Sequence, residues 1–138
     1  MTTKTNETAD IITIKSINEN SVLKVDKIGQ TKQTFKDSKK NATLTADILL
    51  LKANLNGKTI IVKLYGNANG TNGLGEPVES KPIVAYTELM NYIEENDLSL
   101  PASVKLDLTV IEDGSGQNTY KHFKELSSHI DLNDVFGE

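Results

Sequence analysis

Cysteine, arginine and tryptophan are all missing from this chain of 138 residues. Without cysteine there is no disulfide scaffold, thiolate zinc site or cysteine nucleophile, a usage that fits a reducing compartment. Without arginine every basic side chain is lysine, a point charge in place of a planar fork. Such a chain can neutralise a polyanion's backbone, but it is poorly equipped for bidentate reading of base edges in a duplex groove. Aromatics are scarce too, at 5% against 37% hydrophobic residues, so the core must come mainly from Ile, Leu and Val. No run approaches the ~20 apolar residues that span a bilayer. Residues 1–10 are polar with no apolar run behind a basic start, so no secretion signal is expected and the chain reads as cytoplasmic, without a membrane partner. Its length fits one domain that buries ~two-thirds of its unfolded surface.

What the chain does have is sorted charge. Residues 15–63 hold ten lysines and four acids, or 10 − 4 = +6. Residues 76–138 hold four lysines and thirteen acids, or 4 − 13 = −9, and the first fourteen residues add −1 to reach the total of −4. The acidic average hides a basic half able to follow a phosphate backbone and an acidic end able to oppose it.

Hydrophobic alternation marks most of the elements. Residues 11–17 alternate weakly as a short strand. Residues 21–28 and 30–35 are extended on either side of Gly29, where a bulge or bend is expected. A loop follows at 36–41 (KDSKKN). Residues 42–51 form the clearest strand, with Ala42, Leu44, Ala46, Ile48 and Leu50 on one face and Leu49 and Leu51 burying the other. Asn56-Gly57 predicts a type I′ hairpin turn. The return over 58–65 points Ile60, Val62 and Leu64 inward and Lys63 and Tyr65 outward. Residues 66–75 (GNANGTNGLG) predict a long flexible loop. A helix is expected over 87–96, capped by Thr87, with Leu89, Met90 and Ile93 as its stripe and Asn96 as a left-handed end. Residues 104–110 alternate as a strand and 112–118 (EDGSGQN) form a turn. Residues 119–126 fit a hairpin return or a helix, the strand being favoured.

Three strands, a helix, then two strands is the chain order of an OB-fold. The expected architecture is mostly β, a five-stranded Greek-key barrel with one helix between strands 3 and 4. The domain spans residues 11–126, between a flexible tail at 1–10 and an acidic tail at 127–138. With its lysine-rich first hairpin (residues 27–40), helix before the fourth strand, turn at 112–118 and acidic end DLNDVFGE, the chain resembles the small single-stranded DNA-binding proteins of bacteriophages that infect Gram-positive hosts. The chain departs from that group in its few aromatics. In the bacterial pattern the final residue is phenylalanine, whereas here Phe136 is third from the end. The resemblance implies a non-enzymatic protein of phage DNA replication or recombination in the host cytoplasm, whose tail reaches other replication or recombination proteins. A homo-oligomer is compatible with it.

Several residues are candidates for holding single-stranded DNA. Lys32, Lys36, Lys39 and Lys40 lie in and beside the first inter-strand loop, where they can neutralise phosphates and release counterions. As plain structure they would be a solvated hairpin guarding a sheet edge. Phe35 and Tyr65 are outward aromatics on which bases can stack, and Lys63 shares the outward phase of Tyr65. Tyr120, Lys121 and Phe123 join them from the last element, although on a strand only one of the two rings can face the ligand. Tyr86 and Tyr92 read as packing residues. In the tail, Asp131 and Asp134 supply charge and Val135 and Phe136 an anchor for a partner protein. His122 and His129 lack the company of a metal site, no cofactor fingerprint occurs, and no catalytic frame is recognisable. Two other classes stay open. One is an interaction module such as a phage inhibitor whose acidic half mimics DNA; the other is a β-rich virion or surface binding domain.

Overall fold

The computed structural model describes residues 10–115 and 118–128. Within them lie seven strands, β1 (Asp10–Thr13), β2 (Val22–Asp37), β3 (Ala42–Leu55), β4 (Lys58–Asn72), β5 (Pro77–Ser80), β6 (Ala102–Ser115) and β7 (Asn118–Ser128), a 3-10 turn (Ile14–Ser16) and one helix, α1 (Val84–Glu95). The protein is mostly β, and its single sheet curls strongly. The strands lie in the order β1-β4-β3-β2-β6-β7, with β5 also on β4. Only β1 is parallel to its neighbour; the remaining pairs are antiparallel. Among the described residues, no helix is long and apolar enough to cross a membrane.

Bulges let strands this long curl, because an extra residue on one strand bends it and tightens its twist. Register shifts fall at Val25/Lys27, Ala46/Ile48 and Leu108/Val110. The bend expected at Gly29 is thus displaced to residue 26, and β2 runs unbroken through the glycine. The main core fills the inside of the curl. Leu23, Val25 and Ile28 from β2, Leu49 and Leu51 from β3, Val62 and Leu64 from β4, and Leu106, Leu108 and Val110 from β6 close around Ala85, Tyr86, Leu89 and Ile93 of α1. Each such aliphatic side chain contributes ~1.5–3 kcal/mol on burial. On the other face of β3, Ala42, Leu44, Ala46 and Ile48 build a second, smaller core with Ala68, against which Phe35, Leu50, Tyr65 and Val78 pack. The two-sided burial expected of this strand is present: Ile48, Leu49 and Leu51 are all fully buried.

Asn56 and Gly57 both have positive φ, 54° and 84°, as the type I′ turn requires. Residues 119–126 belong to β7, so the strand reading holds over the helical one. Other expectations are corrected. The seven strands replace five, because β1 and β5 flank β4. The loop expected at 66–75 is in fact the end of β4 and a tight turn into β5. Its glycines serve close packing: a Cβ on Gly66 would stand 2.4 Å from the Tyr86 ring, and one on Gly70 only 1.9 Å from the Thr43 carbonyl oxygen. The helix begins at Val84 with Ile83 as its cap, so Thr87 is an interior residue. At its other end Asp97 (φ 53°), not Asn96 (φ −101°), adopts the left-handed conformation. The turn expected over 112–118 is shorter, since β6 continues to Ser115. Asp10 opens β1, where Lys58 bonds its carboxylate at 2.7 Å, and among the described residues the strand pairing runs to Ser128.

Candidate nucleic-acid interface

An open groove of about 1060 Å³ lies where the 3-10 turn, β4, the β5–α1 connection and the start of β7 meet. Its walls carry three aromatic rings, Phe35, Tyr65 and Tyr120, and four lysines, Lys15, Lys63, Lys81 and Lys121; Glu112 is the acid among them. Five residues expected at a binding site from sequence thus meet in one place: Phe35, Lys63, Tyr65, Tyr120 and Lys121.

Strand parity and register explain the arrangement. Phe35 pairs with Leu44, and Tyr65 with Ile48, so both rings share the face of the smaller core. They meet edge to face, centroids 6.1 Å apart at 90°. The Lys63 amine lies 5.7 Å from the Tyr65 ring centre and donates to Gln33 Oε1 at 2.8 Å. Tyr65 is therefore half-buried rather than fully outward. Tyr120, on β7, leaves 52% of its surface exposed. Lys121, one residue on, donates to the backbone carbonyls of Lys15 and Ile17, bridging β7 to the 3-10 turn across the gap in the sheet. Its cross-strand partner is Glu112.

Phe123 is a correction. It pairs with Val110, is only 3% exposed and belongs to the main core. No ring so placed can stack on a ligand.

The hairpin lysines stand apart from the groove. Lys32 pairs with Asp47 and Lys36 with Thr43, which puts both on the face opposite Phe35. Lys32 also meets Asp47 in an ion pair at 3.5 Å. In the turn, Asp37 accepts from the backbone N–H groups of Lys39 and Lys40, and the Lys40 amine donates to the Glu79 carbonyl at 3.0 Å. The tail candidates Asp131, Asp134, Val135 and Phe136 lie outside the described residues.

Lys15 and Lys81 were missed from sequence. Lys15 sits in the 3-10 turn, where the weak alternation of residues 11–17 predicts a strand, and Lys81 just before Pro82, in a segment with no periodicity to assign a face. Ile83 and Val84 line the groove beside Lys81, so the start of α1 with its partial positive charge borders it. Behind the groove Glu88 fastens α1 to β7. One of its oxygens accepts the Phe123 N–H at 2.7 Å and the other lies 3.2 Å from His122 Nδ1. The bond from Lys58 holds the Asp10 carboxyl below the usual range, and burial, helped by the charge of Asp47, raises the Tyr86 hydroxyl above its own. Among the described residues no cluster of three or more His, Cys, Asp or Glu could hold a metal ion.

Chemically the described lining of the groove offers ring faces and ammonium groups. That combination suits a ligand with flat apolar parts and negative charge. Comparison with protein-family models, with curated proteins and with solved structures finds no match to this chain.

Proposed function

We propose that this protein binds single-stranded DNA without sequence preference, through the groove between β4, β7 and the β5–α1 connection, and does so as a non-enzymatic coat in phage DNA replication or recombination. The observation that carries the reading is the convergence of Phe35, Tyr65 and Tyr120 with Lys15, Lys63, Lys81 and Lys121 in one groove, from elements far apart in sequence. Every base has a π face, so stacking on rings tolerates any sequence, while ammonium groups take the phosphates. The absence of arginine fits a protein that holds a strand without reading duplex edges.

Fold supports the same reading. Strands β2, β3 and β4 are joined by hairpins, and β6 returns past α1 to pair with β2. We read the spatial order β6-β2-β3-β4 as a Greek key with β5 and α1 in its long connection, and an OB-fold is a partly open Greek-key barrel that binds oligonucleotides. In this reading β1 and β5 are additions to a five-stranded frame. The phage setting rests on the resemblance of the lysine-rich hairpin and acidic end to phage single-strand binders. Addition of oligo(dT) tests the proposal: the chain has no tryptophan, so its intrinsic emission is tyrosine, and stacking on Tyr120 should quench it. Unchanged emission together with unchanged anisotropy of a labelled oligo(dT) would reject the function.

A further inference from the structure

We infer that Lys15 and Lys81 make the phosphate contacts of the groove, and that Lys63, Lys121 and the lysine-rich hairpin do not. The inference rests on the single-strand reading above and assigns its electrostatic part to two residues that sequence reasoning passed over.

The lysines near the rings differ in what their amines already touch. Lys63 is committed to Gln33 at 2.8 Å and to the ring of Tyr65. Lys121 is committed to two backbone carbonyls. Moving either amine to a phosphate would leave those polar groups to find new partners, which offsets the gain. Glu112, the cross-strand partner of Lys121, also places negative charge on that wall of the groove. Lys15 and Lys81 are exposed, and no amine contact to another described residue accompanies either. They flank the opening from the 3-10 turn and from the β5–α1 connection. A strand whose bases stack on Tyr65 and Tyr120 would meet these two amines along the groove.

On the hairpin, parity alone excludes Lys32 and Lys36 from the groove, while Lys40 is bonded to β5. The basic excess of residues 15–63 is thereby divided. Lys32 and Lys36 lie on the face that carries Ile28 and Leu49, Lys39 and Lys40 in the turn, and of that stretch Lys15 and Lys63 line the groove.

Each phosphate neutralised on a single strand adds about −0.7 to the slope of log K against log salt. Two contacts give a slope of roughly −1.4 for the full chain with oligo(dT). Lys15→Gln and Lys81→Gln should each bring the slope closer to zero by about 0.7, and the double variant should bind with little salt dependence. The triple variant Lys32→Gln, Lys36→Gln, Lys39→Gln should keep the parent slope. A slope that falls in the hairpin triple variant and persists in the Lys15/Lys81 double variant would overturn the assignment while leaving single-strand binding intact. Failure of the parent protein to bind would instead remove the reading beneath it, and the assignment with it.

Discussion

Tyr65 and Tyr120 line the same groove but stand differently toward a base. Tyr65 has Phe35 against it edge-on and Lys63 near its face, and it packs on the smaller core. Tyr120 is the more open ring. Tyr120→Ala should therefore weaken oligo(dT) binding by ~1–3 kcal/mol with the melting temperature nearly unchanged. Tyr65→Ala should cost both binding and stability. Titration and thermal unfolding of the two variants decide the matter, and a stability loss in the Tyr120 variant as large as in the Tyr65 variant would contradict it. At Tyr86 the raised pKa fixes a sign. The fold favours the neutral hydroxyl, so this stabilisation is complete below the ordinary value of ~10 and is lost as pH rises through the raised one. Melting temperatures of the parent and Tyr86→Phe across that range should show a steeper alkaline fall in the parent. Parallel profiles would mean that the hydroxyl's burial does not matter.

Among the elements, β4 and β7 show why some of the fold was legible in sequence and some was not. The alternation of Ile60, Val62 and Leu64 identified the first half of β4. Its second half, GNANGTN, looked like a loop because glycine was read as flexibility. Gly66 and Gly70 are instead places where Tyr86 and the Thr43 carbonyl come too close for a side chain, and only the folded neighbours reveal that. Gly70→Ala should accordingly lower stability by ~1–3 kcal/mol through overpacking. Denaturant unfolding measures it, and a neutral result would return this segment to the status of a loose loop. In β7 the helical spacing of Phe123 and Leu126 has a specific origin. The register shift at Leu108/Val110 inserts one residue, so that Leu126 opposite Leu108 and Phe123 opposite Val110 stand three apart on one strand. A bulge imitates a helical period over a single repeat. The hairpin lysines lie apart from the groove for a simpler reason. Phe35 is odd-numbered where Lys32 and Lys36 are even, so parity on β2 separates them although they are close along the chain. Lys15 and Lys81 offered little signal: the weak alternation around Lys15 gives way to a 3-10 turn, and Lys81 lies in no periodic segment.

For the molecule as a whole, sorted charge remains the feature to explain. Nine of the fifteen lysines fall on β2, β3 and β4 or in the β2–β3 turn, and most acids come after them; the groove draws lysines from both halves while Glu112 comes from the acidic one. The final residues 129–138 carry Asp131, Asp134 and Glu138 on the same chain as that groove, at high effective concentration. Deleting them should tighten oligo(dT) binding by ~0.5–1 kcal/mol at low salt, because each exposed ion pair is worth little and salt screens it. Weaker binding after truncation would show that this segment contributes to the site or to folding. The central claim, that the groove holds a single strand by stacking and a few phosphate contacts, is tested most directly by competition. A labelled oligo(dT) bound to the protein is challenged with unlabelled oligo(dT) or with duplex of equal length, at low and moderate salt. The account predicts that the single strand displaces the label at far lower concentration than the duplex at both salts. Equal displacement by the two, or none by either, would contradict it.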